Sequence, residues 1–297
     1  MSLYDRLAGR ADAPAVSLPS SSPLTWPAAG LDVGTDLRGA QVALLHWLQQ
    51  GGITTPPVLD LVVALDVSAS FEDEHRAGVT NDLLVRLVPW GLTFDRNRSL
   101  ELITFSSGAA SAHLVGSLTA ENCRGFVSRE VVARVPGWCG ATDYSHPIER
   151  ALRHGGWLAA DATEDGAARP GLFGRLFGGR PSAAAAAAAA AEADGARAGL
   201  RRPLLVLFIT DGDNQDKIRA RAVLRASQQR RDAVYFLFLG ISNQGSRFPF
   251  LEAIGAEFDN TGFVAVDDLR AFVRLSHEAL NERLIGPELL RWLRQPG

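Results

Sequence analysis

Residues 58–65 read Val-Leu-Asp-Leu-Val-Val-Ala-Leu, and the polar loop Asp66-Val67-Ser68-Ala69-Ser70 follows at once. A short, mostly apolar run that is rich in β-branched residues is typical of a strand buried on both faces. Leu204 to Ile209 (LLVLFI) and Val234 to Leu239 (VYFLFL) have the same character. Three such runs in one chain indicate a parallel sheet that is covered by helices on each side.

The segments between these runs complete an alternation of strands and helices. Ser99 to Phe105 fits a fourth strand, and Ala112 to Val115 fits a short antiparallel edge strand joined to it through residues 106–108. Helices are predicted over residues 74–93, 143–154, 216–230, 247–254 and 267–284. The alternation predicts an α/β fold of the doubly wound, Rossmann-like type, with a mostly parallel sheet, helices on both faces and one short antiparallel edge strand.

Two regions fall outside that alternation. Residues 1–57 are interpreted as an N-terminal extension that packs on the main domain, and residues 36–50 within it are predicted to be helical. The apolar face of that helix would be formed by Leu37, Val42, Leu44, Leu45 and Leu48. Residues 158–202 are interpreted as a low-complexity insertion, because Gly, Pro and Asp lead there into an alanine run over residues 183–191. Such an insertion should emerge at the surface.

Composition and charge exclude several classes of protein. The 297-residue chain carries a formal net charge of -3, which argues against a broad nucleic-acid-binding surface. Cys123 and Cys139 are too few for a four-sulfur zinc site, and we expect reduced thiols, with one bridge between them as the alternative. The N-terminus lacks the apolar core of a secretory signal, and no uncharged apolar run approaches the ~18 residues of a membrane span. We therefore expect a cytoplasmic protein.

Carboxylate and hydroxyl side chains follow the first two of the three apolar runs. Asp66, Ser68 and Ser70 follow the first run, and Asp211 follows the second. If these strands are neighbours, the two carboxylates face each other across the sheet edge and repel unless a proton or a cation lies between them. A third loop, which contains Thr142, can add another hydroxyl. Such hard oxygen ligands suit Mg2+, Mn2+ or Ca2+.

The motifs give less support to catalysis. A phosphatase with an aspartyl nucleophile usually needs a second acid two residues later, and Ser68 occupies that place. The sequence contains neither a Gly-x-x-x-x-Gly-Lys phosphate loop nor a Gly-x-Ser-x-Gly nucleophile elbow. We therefore expect a protein that is not an enzyme.

The order of the three polar loops resembles the metal-ion-dependent adhesion site (MIDAS) of von Willebrand factor A (vWA) domains. The pattern that carries the resemblance is Asp66-x-Ser68-x-Ser70, then Thr142, then Asp211 in Thr-Asp-Gly. A vWA domain over residues 58–293, interrupted by the insertion, is the domain organisation that this implies.

Within that superfamily the chain is most similar to the tellurium-resistance-associated bacterial branch. Residues 140–144 (GATDY) and 208–213 (FITDGD) resemble two of its loops, and residues 263–269 and 280–293 resemble its C-terminal helix. The resemblance implies a metal-ion-dependent protein-binding module in a bacterial stress response or tellurium-resistance system. The alternatives are a non-catalytic vWA subunit that partners an AAA-type ATPase and, less well supported, a metal-dependent hydrolase.

The resemblance also implies which residues bind. One divalent metal, Mg2+ or else Mn2+ or Ca2+, would be held by Asp66, Ser68, Ser70, Thr142 and Asp211. A partner protein would offer an acidic residue as a further ligand to that metal. Phe71, Trp138 and Tyr144 lie beside these loops in the sequence and are predicted to give the partner apolar contacts. For Trp138 the alternative is packing of the loop itself.

Overall fold

The computed structural model describes residues 33–159, 201–242 and 247–295. Its strands are β1 (Asp60–Asp66), β2 (Leu100–Phe105), β3 (His113–Leu118), β4 (Leu204–Thr210), β5 (Val234–Ile241) and β6 (Thr261–Val266). Its α-helices are α1 (Val33–Gln50), α2 (Glu72–Arg76), α3 (Val79–Phe94), α4 (Ser145–His154), α5 (Lys217–Arg230), α6 (Pro249–Glu257), α7 (Leu269–Phe272), α8 (His277–Leu284) and α9 (Pro287–Arg294). None of these helices is both long and apolar enough to cross a membrane.

The strands form one sheet in the order β3-β2-β1-β4-β5-β6. Every neighbouring pair is parallel except β2 with β3, so the predicted fold class and the antiparallel edge strand are confirmed. The chain moves from β1 towards β3 on one side and from β4 towards β6 on the other. The boundary between β1 and β4 is therefore the point at which an open α/β sheet binds ligands beyond its carboxyl ends.

Alternate side chains of the central strands feed two separate cores. Val63 and Leu65 of β1 are fully buried on the face that is covered by α1, α3 and the C-terminal helices. Val62 and Ala64 are fully buried on the other face, beneath α4, α5 and α6. Burial on both faces explains why the strands read as continuous apolar runs instead of alternating ones.

Helix α1 joins the first of these cores. Leu44 and Leu48 are fully buried, and Gln41 Nε2 donates a hydrogen bond to the Leu92 carbonyl of α3 at 3.1 Å. Val42 was predicted to share the apolar face but is 61% exposed. It lies two residues from Leu44, and positions two apart do not face the same side of a helix. Residues 1–32 of the predicted N-terminal extension lie outside the described residues.

Three predictions of secondary structure were wrong. Residues 263–266 were assigned to a helix-like C-terminal segment, but they belong to β6, which pairs in parallel with β5. The single helix predicted over 74–93 is two helices, because Gly78 adopts a φ of 78° between α2 and α3. The helix predicted over 267–284 is also two, and Ser276 caps the second of them by accepting from the Ala279 N–H at 3.2 Å.

The segment from residue 160 to residue 200, most of the predicted insertion, lies outside the described residues. The flanking residues on its two sides contact each other: the Arg201 guanidinium carbon lies 5.8 Å from the centre of the Trp157 ring. Arg202 then pairs with Asp60 at 2.7 Å, at the start of β1. The residues that flank this segment are therefore held by contacts with each other and with the start of β1.

Two glycines inside helices are expected to respond oppositely to alanine. A Cβ on Gly39 of α1 would have no neighbour within 4 Å, whereas a Cβ on Gly91 of α3 would lie 2.8 Å from the Ser99 carbonyl oxygen. Gly39→Ala should raise the free energy of unfolding by about 0.5–1 kcal/mol, because alanine costs less entropy in a helix. Gly91→Ala should lower it by about 1–3 kcal/mol through overpacking. Urea midpoints measured at unchanged m-value check both signs, and equal shifts would contradict the packing described here.

Candidate metal centre

Three loops meet at the carboxyl edge of β1 and β4. The loop after β1 runs beside residue 140, because Ser68 and Gly140 form a parallel bridge and Ala69 N–H donates to the Gly140 carbonyl at 3.1 Å. The loop after β4 is tied to the same region by a hydrogen bond of 2.9 Å from Gln215 N–H to the Thr142 carbonyl. Backbone hydrogen bonds thus fix the three loops relative to one another.

Asp66 lies at the base of this arrangement and is fully buried. Its Oδ1 accepts from the Ser68 N–H at 2.8 Å, and its Oδ2 accepts from the Thr210 hydroxyl at 2.6 Å. Burial raises the pKa of Asp66 to about 6, against the lowering effect of these two hydrogen bonds. The carboxylate therefore has a fixed orientation in a fully buried place.

Ser70 connects the first loop to the second carboxylate. Its hydroxyl donates to Asp211 Oδ1 at 2.9 Å and lies 3.3 Å from the Ser68 hydroxyl. Hydroxyl oxygens keep lone pairs when they donate, so both serines can still offer an oxygen to a cation. Burial and the nearby negative charge of Asp66 raise the pKa of Asp211 to about 7.

Thr142 completes the predicted set from the third loop. Its side chain is 6% exposed. A Cβ built on Gly212 would lie 3.8 Å from both the Thr142 and the Ser70 hydroxyl oxygens. The two hydroxyls thus converge on one small space next to Asp211, which the absence of a side chain at Gly212 leaves open. The structure brings all five predicted residues to one edge of the sheet.

The donor set fits a hard divalent cation. It contains two carboxylates and three hydroxyls, which are the ligand types that Mg2+, Mn2+ and Ca2+ prefer. Among the described residues, no group of three or more His, Cys, Asp or Glu side chains could hold a metal, so the hydroxyls are essential to any such site. A positive charge would also offset the repulsion that raises the pKa of Asp211.

His75 hydrogen-bonds to the backbone of Asp66, a role that the sequence pattern did not reveal. Its Nε2 lies 2.8 Å from the Asp66 carbonyl oxygen, which can only accept, so Nε2 carries the proton. Its Nδ1 then accepts from the Thr80 hydroxyl at 2.9 Å. Burial lowers the pKa of His75 to about 4, which keeps the ring neutral. The imidazole therefore fixes the end of β1 to the helices that follow it.

Asp216 holds the other two loops together. Its carboxylate accepts from the N–H groups of Tyr144 and Ser145, each at 2.8 Å, at the start of α4. The Tyr144 hydroxyl donates to the Gly212 carbonyl at 2.5 Å. The one sequence signal for Asp216 was its place as the first residue of the helix predicted over 216–230, since such residues act as caps where helices begin.

The predicted partner-facing aromatic residues need correction. Phe71 and Tyr144 are fully buried and cannot contact a partner. The Tyr144 ring packs in the core, 5.0 Å from the ring of Phe208, and Phe71 packs 4.8 Å from His75. Trp138 is partly exposed, and its inner side lies 5.5 Å from His75. It therefore packs on the loop while keeping some surface for other contacts.

The sheet order and the three loops define a vWA-type domain. Residues 59–296 match the family model described as the vWA found in the C terminus of TerF. Because that match covers well over half of the sequence, the chain belongs to the TerF-like vWA family. No curated protein matches the chain significantly.

Solved structures with a similar fold are distant in sequence. Proximal thread matrix protein 1 from the mussel byssus is 15% identical with a TM-score of 0.45. The match covers 79% of this chain and 49% of that one, so this chain spans about half the length of that protein. The N-terminal domain of TFIIH p34 is 14% identical with a TM-score of 0.42, and the match covers 74% of this chain and 95% of that one. Manganese-loaded TRAP protein of Plasmodium vivax is 14% identical with a TM-score of 0.41, and the match covers 78% of this chain and 73% of that one.

Metal should stabilise the wild type but not variants of the centre. At about 100 times its Kd, Mg2+ or Mn2+ should raise the Tm of the wild type by roughly 5–10 °C. Asp66→Asn and Asp211→Asn should lose most of that shift. Asp211→Asn should melt no lower than the wild type without metal, because it removes a like charge from beside Asp66. Differential scanning fluorimetry with and without chelator measures the shifts.

The matched control is Asp213→Asn, which changes an exposed carboxylate two residues from Asp211 that pairs with Lys217. It removes the same charge from the same loop and should keep the full response to metal. Equal responses in all four proteins would show that the cation binds elsewhere.

Proposed function

We propose that this domain is a protein-binding module that holds one divalent cation, Mg2+ or else Mn2+ or Ca2+, and recognises an acidic side chain of a partner through it. The observation that carries the proposal is the convergence of oxygen donors on one fixed edge of the sheet. These donors are Asp66, Ser68, Ser70, Thr142 and Asp211. When bound, the cation supplies positive charge and a coordination position for an outside carboxylate.

The chain's own residues prepare this position before a partner arrives. Asp66 and Asp211 provide the negative charge. The Ser68 and Ser70 hydroxyls are hydrogen-bonded to each other, and Ser70 also donates to Asp211. Since few groups need to be ordered on binding, little of the interaction energy is lost to entropy. Two site carboxylates nearly neutralise a divalent cation, so the contact with a single partner carboxylate should be modest by itself.

The surface around the centre offers the additional contacts that such a partner needs. Trp138 is partly exposed, and the Arg76 guanidinium carbon lies 6.0 Å from the centre of its ring. Ile218 is 90% exposed in the first turn of α5, three residues after Gln215, whose N–H bonds to Thr142. An apolar side chain in this position has about 1.5–3 kcal/mol to gain from burial in an interface. Trp138 and Ile218 therefore replace Phe71 and Tyr144 as the apolar contacts of the proposal.

The proposal assigns no catalytic step to the chain. His75, the histidine bonded to the end of β1, uses both ring nitrogens in hydrogen bonds within the fold. It is therefore not positioned as a general base towards the open side of the centre. We further propose that the module works in the bacterial cytoplasm, in a response to tellurite or other toxic agents. That setting is supported by membership of the TerF-like family alone.

Partner binding should depend on the Thr142 hydroxyl and on metal. Proteins captured in Mg2+ and lost in chelator can be identified by mass spectrometry, and the affinity of a purified partner can then be measured by calorimetry. Thr142→Ala should weaken binding by about tenfold or more, because it removes a donor to the cation, whereas Thr142→Ser keeps the hydroxyl and should restore it. Trp138→Ala should weaken partner binding and leave the metal-induced shift in Tm intact.

A partner that binds Thr142→Ala and wild type equally, with and without chelator, would refute the proposed mode of recognition. If the partner is an AAA-type ATPase, the module acts as its non-catalytic subunit, and the same variants apply. Turnover of a phosphate ester or peptide that the wild type shows and Asp66→Asn lacks would replace the binding function with hydrolysis.

A further inference from the structure

The end of the sheet opposite the metal centre carries a cleft that the proposed function does not use. It encloses about 350 Å3 between α1, the turn that precedes β2 and the turn that follows β3. That volume is within the range of small-molecule sites, roughly 300–1,000 Å3. A strand rises about 3.3 Å per residue, so a cleft at the amino end of β2 lies on the order of 20 Å from the loops at its carboxyl end.

Two arginines line this cleft from different elements, Arg38 from α1 and Arg98 from the turn before β2. Within the part of the chain that the structure describes, neither has a carboxylate within 4.0 Å. Arginines of α5 differ: Arg219 and Arg225, for example, pair with glutamates at 3.1 and 2.7 Å. The fold therefore does not use the guanidinium groups at the cleft for ion pairs.

The backbone holds Arg98 in a fixed position. Asp95 Oδ1 accepts from the Asn97 N–H at 2.6 Å, and the Asp95 carbonyl accepts from the Arg98 N–H at 3.0 Å. Arg98 itself has a φ of 60°, a left-handed conformation that costs a residue with a Cβ roughly 1–2 kcal/mol. Glycine would avoid that cost. The backbone of Arg98 is thus held by its turn, and its exposed side chain is among those that line the cleft.

The chemistry of the lining indicates the class of ligand. One guanidinium satisfies a planar carboxylate through its two parallel N–H donors. Two arginines from different elements can donate to oxygens that point in different directions, as those of a phosphate group do. Leu37 is 5% exposed and Leu92 is half-buried, so the same cleft also provides apolar surface. We infer that this cleft binds a phosphomonoester, with the phosphate between Arg38 and Arg98 and an organic body against the leucines.

One carboxylate, Glu121, also lines the cleft. Its pKa is lowered first by a hydrogen bond with the Thr119 hydroxyl, and the charge of Arg98 contributes least among the causes. The negative charge of Glu121 repels a bound dianion. A variant without this charge should therefore change the affinity in the opposite direction to the arginine variants. Glu121→Gln should tighten binding of the phosphomonoester, whereas loss of either arginine should weaken it.

Calorimetric titration of the full chain, in chelator, tests the inference with three probes: phenyl phosphate, inorganic phosphate and benzoate. Phenyl phosphate should bind more tightly than inorganic phosphate, which lacks the apolar body, and than benzoate, which lacks the tetrahedral dianion. Arg38→Gln and Arg98→Gln should each weaken phenyl phosphate binding by about tenfold or more, as expected for lost hydrogen bonds to a charged group. Arg98→Gly also removes the guanidinium. Because glycine adopts a positive φ without strain, this variant should have a Tm no lower than that of the wild type.

The matched control is Arg96→Gln, which removes an exposed arginine of the same turn that does not line the cleft. Unchanged binding in this control, together with the losses in the other variants, would establish the site. The inference is overturned if phenyl phosphate gives no binding up to about 10 mM, since that affinity is below any specific recognition. It is also overturned if benzoate binds as tightly, or if Arg96→Gln weakens binding as much as Arg98→Gln. Because the titration contains no divalent metal, none of these results depends on the metal centre.

Discussion

The pairing of β1 with β4 is the constraint on which the candidate metal centre depends. The register places Leu65 opposite Ile209, so the next residues, Asp66 and Thr210, lie side by side where the strands end. The Thr210 hydroxyl donates to Asp66 at 2.6 Å, and Asp211 follows it directly. Burial raises the pKa of Asp66, and burial together with the negative charge of Asp66 raises the pKa of Asp211. The sheet itself creates an excess of negative charge at this edge.

Hydrogen bonds within the chain hold the three loops together. Their backbones are joined by hydrogen bonds between Ala69 and Gly140 and between Gln215 and Thr142, and the cores on both faces of the sheet support them. A metal here would find its oxygen donors already in place, in contrast to small zinc domains, which fold only when metal binds. Metal binding should therefore add stability to a domain that is already folded.

The sequence predicted most of the centre, because buried parallel strands leave strong apolar runs and the polar loops follow them directly. It failed where the signal was tertiary. Strand β6 lies at the sheet edge and is only partly buried, so its apolar run was short and was read as part of a helical segment. Asp216 acts on a residue that is 72 positions earlier in the chain, and such a contact leaves no local pattern. Phe71 and Tyr144 lie beside the loops in sequence, but the direction in which a side chain points is set by packing.

Anomalous diffraction from crystals of the wild type grown with Mn2+ tests the central claim most directly, because it locates the cation without reference to stability or to a partner. The account predicts one strong peak among the side-chain oxygens of Asp66, Ser68, Ser70, Thr142 and Asp211, with an open coordination position towards solvent. It also predicts that this peak is absent from crystals of Asp211→Asn. A wild-type structure with these loops in the same conformation and no peak among them, or with its only peak elsewhere, would contradict the account.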